Sequence, residues 1–252
     1  MRIIPRIIAT LLLIAGLIVP AQAGSTTIEG GYADNWTAPS LGFRVDSRGV
    51  LWVRGTQDIY HGVYLTAYGR KGSDEGDFGI GWNGTHAGFI FNCSLEYWSF
   101  SALRRSIEDL AMTGCQIGKE FATGFGTFTP YARLELWKPM WSAAKFLPQV
   151  GVRHSLALPG VTAALQSAFG WTGVHVPPMR LDSGLRFLYD PGVIVQPAAT
   201  NYSIDGAAVW LPYPNVEIAL PKIRYINLVT RPPQGDIRGP NTTLMVEFKI
   251  VY

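Results

Sequence analysis

Leu244-Met-Val-Glu-Phe-Lys-Ile-Val-Tyr252 (LMVEFKIVY) alternates with period two. Leu244, Val246, Phe248, Ile250 and Tyr252 fall on one side, and Thr243, Met245, Glu247, Lys249 and Val251 on the other. Successive side chains of an extended strand point to opposite faces, so the segment reads as a strand with one apolar wall and one polar wall. A helix would scatter both sets around its circumference.

The same separation recurs upstream. Val63, Leu65 and Ala67 oppose Tyr64, Thr66 and Tyr68, and Phe78, Ile80 and Trp82 oppose Asp77, Gly79, Gly81 and Asn83. Phe89, Phe91, Cys93, Leu95 and Tyr97 oppose Asn92, Ser94 and Glu96. Ala132, Leu134 and Leu136 oppose Tyr131, Arg133 and Glu135; Phe146, Val150, Val152 and Leu156 oppose Gln149, Arg153 and Ser155; Leu181, Leu185, Phe187 and Tyr189 oppose Arg180, Asp182, Gly184 and Arg186. The polar wall is built from Gly, Ser, Thr, Gln, Tyr and oppositely charged pairs instead of the many Lys and Glu residues of a water-facing sheet. That makeup suits a confined polar lumen, where small residues make room and opposite charges neutralise one another. The expected fold is all-β: a transmembrane antiparallel up-and-down β-barrel of about twelve strands, with ten or fourteen as alternatives, and a soluble secreted β-sandwich as the competing class.

The pattern places strands near residues 25–33, 40–54, 59–70, 75–84, 87–98, 109–120, 127–138, 145–157, 161–173, 179–190, 200–211 and 242–252. The segment 214–228 is undecided because alternation breaks at Pro221. Ser99–Leu110 carries Leu103, Ile107 and Leu110 at helical spacing and reads as a short helix within a loop, and Arg231–Asn241 (RPPQGDIRGPN) reads as a long final loop. Trp82, Trp98, Trp137, Trp171 and Trp210 fall at strand ends, where interfacial girdles lie.

Composition agrees with the pattern. Charged residues make up only 15% of the chain against 48% hydrophobic, yet after Val19 no apolar run approaches the length of a membrane helix. Residues 1–23 read as a cleaved signal peptide: Arg2 and Arg6, the apolar run Ile7–Val19, then Ala21-Gln22-Ala23. Without Arg2 and Arg6, 19 basic residues face 18 acidic ones, and that balance advertises no nucleic-acid partner. The expected division is therefore signal peptide 1–23 and barrel 24–252.

Side chains of catalytic type are sparse. His61, His86, His154 and His175 lack the paired spacing of metal ligands, so no metal or cofactor is expected. His154 and Ser155 are neighbours, but adjacent strand residues face opposite ways, so they cannot meet as base and nucleophile. The chain is read as a non-enzyme. Cys93 and Cys115 lie on neighbouring expected strands, both on the apolar side. A direct hairpin would bring them opposite each other, which leaves a disulfide or two lipid-facing thiols as alternatives.

With its apolar leader, its alternation and its terminal aromatic strand, the chain resembles Gram-negative outer-membrane β-barrel proteins. Phe248, Ile250 and Tyr252 match the assembly signal of that group, although the glycine often found further upstream in it is missing. Val45-Asp-Ser-Arg-Gly-Val50 and the later GVYLTAYG (Gly62–Gly69) are similar to small porins of the TorF type. The resemblance implies residence in the bacterial outer membrane, contact with its lipids, and handling by periplasmic chaperones and the barrel-assembly machinery. It also implies passive diffusion of small solutes. The expected lumen-lining set is Arg44, Arg70, Glu96, Arg133, Glu135, Arg153, Arg180, Asp182, Arg186, Glu247 and Lys249. Its basic excess points to a porin-like channel with a mild anion preference. A closed structural or adhesive barrel and a lipid-modifying outer-membrane hydrolase are the competing functions.

Overall fold

The computed structural model describes residues 24–38, 43–46, 49–71, 75–100, 109–140, 143–167, 170–191, 199–228 and 241–252. They form seventeen strands: β1 (Thr26–Ala33), β2 (Trp36–Ala38), β3 (Phe43–Asp46), β4 (Val50–Tyr60), β5 (Val63–Arg70), β6 (Glu75–His86), β7 (Phe89–Phe100), β8 (Leu110–Lys119), β9 (Phe121–Thr123), β10 (Gly126–Pro139), β11 (Lys145–Leu158), β12 (Val161–Ser167), β13 (Gly170–Val176), β14 (Met179–Asp190), β15 (Ala199–Tyr213), β16 (Val216–Leu228) and β17 (Asn241–Val251).

Twelve of them close a ring in the order β1, β4, β5, β6, β7, β8, β10, β11, β14, β15, β16, β17 and back to β1, every neighbour antiparallel. The seam is a full ladder from Thr27 opposite Val251 to Ala33 opposite Met245. Beyond it the Thr26 amide donates to the Tyr252 carbonyl at 3.1 Å, and the Tyr252 amide to the Thr26 carbonyl at 2.8 Å. Closure leaves no sheet edge, the condition for putting strands in hydrocarbon. Two short hairpins, β2–β3 and β12–β13, stand outside the ring, and β9 extends the sheet along β10. Among the described residues no helix is long and apolar enough to cross a membrane.

The end of the barrel bearing Thr26 and Tyr252 also carries the tight turns, and is called the turn end here. Two of these turns have positive φ at both central residues, His61-Gly62 (45° and 82°) and Ala87-Gly88 (51° and 78°). That conformation matches the right-handed twist of the flanking strands. Connections at the opposite loop end run to sixteen residues, between β1 and β4.

One parity of every strand faces outward. Phe78, Ile80, Leu95, Leu134, Phe146, Val150, Ile204, Leu244 and Phe248 are all 41–59% exposed there. An apolar belt of that extent is a liability in water and is what a barrel presents to lipid.

The strand number expected from the sequence holds, with a different membership. Residues 161–173, assigned to the wall, belong instead to the separate β12–β13 hairpin. The undecided stretch 214–228 supplies β16, which passes Pro221 on a register shift between Ala219 and Lys222. A bulge is where a strand tolerates proline, and it also scrambles the alternation that a parity count depends on. Most of the expected helix, residues 101–108, the bulk of the final loop, residues 229–240, and the leader 1–23 lie outside the described residues.

Candidate functional site

The inward parity defines the lumen, and the ladder registers carry it from strand to strand. From the expected lumenal set, Arg70, Glu96, Arg133, Glu135, Arg153, Arg180, Asp182, Arg186, Glu247 and Lys249 all take inward positions. Arg44 is not in the wall: its backbone pairs with Thr37 in the separate β2–β3 hairpin, and its side chain lies outside the described residues. The parity count that placed it in the wall ran one strand through residues 40–54, whereas β4 begins only at Val50.

Sequence reasoning missed as many lumenal charges as it found. Glu29, Asp58, Glu75, Asp77, Asp190, Asp205 and Glu217 are inward carboxylates, and Arg54, Lys145, Lys222 and Arg224 inward cations. Asp77 was already on the polar parity of its strand. Glu217, Lys222 and Arg224 were hidden by the unassigned β16. With them the wall holds ten cations and eleven carboxylates among the described residues, near balance where the sequence-derived set leaned basic.

Most of these charges are paired within the wall. Arg70 Nη2 lies 2.6 Å from Glu75 Oε2, Arg133 Nε 2.7 Å from Glu135 Oε1, Lys222 Nζ 2.5 Å from Glu247 Oε2, and Arg224 Nε 2.5 Å from Asp205 Oδ1. Arg180 bridges Asp182 at 2.9 Å and Glu217 at 2.8 Å. Two arginines differ. Arg54 lies 5.4 Å from the Tyr68 ring and Arg153 4.8 Å from the Tyr131 ring. Both are exposed to the lumen, and neither is bridged to a carboxylate among the described residues. Their strands, β4 and β11, stand six places apart in the ring of twelve and so face each other.

The lumen has two halves. Toward the turn end it is wet, with the Lys249 side chain 38% exposed and that of Asp182 34%. Toward the loop end it is filled. Ala33, Val50, Leu110, Met112, Trp137, Leu147, Leu188, Ile226 and Met245 point inward at that level, and none is more than 3% exposed. Tyr68, Asp77, Trp98 and, on β15, Asn201 complete the circuit, so every strand of the ring contributes. These buried side chains make a largely apolar layer lining the lumen, called the septum here.

Trp98 and Trp137 belong to this septum and not to an outer girdle, as their place at strand ends had suggested. Their rings meet edge-on at 5.2 Å, and their indole N–H groups donate to Glu96 and Glu135 at 3.0 and 2.8 Å. The parity of Glu96 and Glu135 assigns both rings to the lumen. Trp82 and Trp210 do face outward, while the Trp171 side chain lies outside the described residues.

On the outer wall, Cys93 and Cys115 sit opposite each other on the β7–β8 hairpin and are joined as a disulfide. His154 and Ser155 do face opposite ways. A different serine comes near the ring, because Ser183 is directly opposite His154 on β14, its Oγ 3.4 Å from Nδ1. His154 Nε2 lies 2.6 Å from the Phe125 carbonyl, and Phe128 stacks on the imidazole at 4.5 Å. The pair lies between laddered strands whose backbone amides are committed to the sheet. Among the described residues no three His, Cys, Asp or Glu side chains group as a metal site would.

A closed antiparallel ring of twelve strands, apolar outside and charged within, is the fold of bacterial outer-membrane β-barrels. Solved structures agree on that fold. LpxR from Salmonella typhimurium superposes with a TM-score of 0.51 at 7% identity, over 90% of this chain and 99% of that one. A KdgM porin gives 0.50 at 8% identity, over 90% and 98%. No protein-family model matches the chain, and no curated protein matches it.

Proposed function

We propose that the chain is an outer-membrane channel for small polar solutes, shut at rest by its own septum. The carrying observation is the lumen itself: a charged, water-accessible half that ends at a layer of packed apolar side chains. Hydrophobic constrictions of this kind gate pores by expelling water. The unbridged Arg54 and Arg153, facing each other across the wet half, favour the mild anion preference; the near balance of the remaining charges keeps it small. Residence in the outer membrane follows from the apolar belt, with export through a leader ending at Ala23 and assembly read from Phe248, Ile250 and Tyr252 on the outward face of β17.

Planar-bilayer recording of the refolded protein tests the channel. Brief openings with a reversal potential slightly favouring anions are expected, and permanent silence of folded protein refutes it. The septum also favours a second reading, a permanently closed structural or adhesive barrel, and silence is the result that reading requires. Fractionation with the outer membrane and a mature N-terminus at Gly24 are the expected outcomes for localisation. The committed backbone amides around the His154–Ser183 pair favour the channel over a hydrolase.

A further inference from the structure

The septum is not uniformly apolar: besides Asp77 on β6, it carries a cluster of polar side chains on one stretch of wall. Gln149, Leu188 and Asn201 are direct register partners across β11, β14 and β15; one step toward the turn end, Arg186 and Ser203 are partners on β14 and β15. Gln149, Asn201 and Ser203 are 5%, 1% and 0% exposed. Gln149 Nε2, both polar atoms of the Asn201 amide and Ser203 Oγ have no hydrogen-bond partner among the described residues. Native interiors pair such groups, because a donor or acceptor stripped of water and left alone destabilises the fold. Here four orphaned atoms from three neutral side chains occupy one strip of one wall, pointing inward. Below them the same line continues to Gly184, where an added Cβ would meet only the Val152 carbonyl, at 3.6 Å. The strip therefore opens into the wet half.

Resting on the channel reading, we infer that this strip is the path through the septum, a solute-binding track for small uncharged polyhydroxylated molecules. Its atoms mix donors (Gln149 Nε2, Asn201 Nδ2, Ser203 Oγ) with acceptors (Asn201 Oδ1, Ser203 Oγ), the pattern a hydroxyl group matches because it both donates and accepts. The orphaned groups carry no charge, and the one ionic neighbour in the strip is the Arg186 cation, the register partner of Ser203. Leu188 sits between Gln149 and Asn201 and is the apolar obstacle a solute displaces.

The test uses full-length protein in liposomes with glycerol as the probe, its folding verified by heat-modifiable migration. Leu188→Ala is expected to increase glycerol-driven swelling. Adding Asn201→Leu and Ser203→Ala to that variant is expected to cut swelling about fivefold, roughly the worth of one hydrogen bond, while its ionic conductance stays. Ser203→Thr, which keeps the hydroxyl, is expected to retain swelling. Unchanged glycerol swelling after the apolar replacements overturns the track and leaves the channel standing. A folded Leu188→Ala variant with neither swelling nor current overturns the channel reading and the track with it.

Discussion

Replacing Glu75 by leucine probes whether the loop half of the lumen is as dry as its packing implies. Arg70 and Glu75 are direct partners across β5 and β6, bridged at 2.6 Å, with side chains 1% and 6% exposed. At that burial the two charges have lost nearly all hydration, and the bridge between them compensates much of that loss. Breaking a buried pair by removing one partner costs about 3–5 kcal/mol, whereas replacing both by apolar residues of similar volume is near neutral or stabilising. Glu75→Leu and Arg70→Leu are therefore each expected to lower stability by about 4 kcal/mol, and the double variant by less than about 1 kcal/mol. With a urea slope of about 3 kcal/mol/M, each single change moves the midpoint down by more than about 1 M. The assay is equilibrium urea unfolding in lipid vesicles, followed by tryptophan fluorescence and heat-modifiable migration. Singles costing under about 1 kcal/mol, or a double variant as destabilised as the singles combined, would show that water reaches this pair and that the septum is not sealed.

Four further outcomes follow from the same geometry. Trp137→Ala, at a fully buried ring that meets Trp98 edge-on and is bonded to Glu135, should cost about 3–5 kcal/mol and raise the open probability in bilayers; a variant as silent as the parent argues against the septum as gate. Cys93→Ser with Cys115→Ser, opening a bridge across 22 residues of sequence, should lower stability by about 3 kcal/mol, and the unreduced parent should titrate no thiols. Arg54→Glu with Arg153→Glu should move the reversal potential toward cations, and an unmoved potential removes these two residues from the conduction path. His154→Ala should leave lipid composition unchanged in cells expressing it; loss of a lipid turnover seen with the parent would revive a hydrolase centred on Ser183.

The outer wall was legible because lipid enforces a strict rule, one apolar parity along every strand, and rows such as Phe146, Val150, Val152 and Leu156 announce it. The lumen follows a looser rule. Inward positions accept Trp137, Leu147, Leu188, Ile226 and Met245 alongside arginine and glutamate, so residues that look lipid-facing by type fill the interior instead. Leu147 and Leu188 interrupt the polar parity of their strands and read as noise until the register lines them up. The Cys93–Cys115 juxtaposition was readable because it needs only one hairpin. Ser183 beside His154 was not, since it needs β14 to be the next strand after β11, and the intervening β12–β13 segment looked like a wall strand of its own.

The β1–β17 seam has a consequence for how the barrel reaches its final state. Nine of the other eleven strand pairings in the ring join segments that follow one another closely in sequence, so the chain can zip them locally as hairpins, and the β1–β4 and β11–β14 pairings span only the short β2–β3 and β12–β13 excursions. Only the seam joins residues as distant as Thr27 and Val251. Loop-closure entropy grows slowly with length, so this last union adds little to the free-energy cost but concentrates the non-local search in a single step. Until it happens the sheet carries two bare edges, β1 and β17, able to pair with each other or with a neighbouring copy. The barrel's order of folding is thus a race at one pair of strands, in which intramolecular closure competes with strand exchange between molecules.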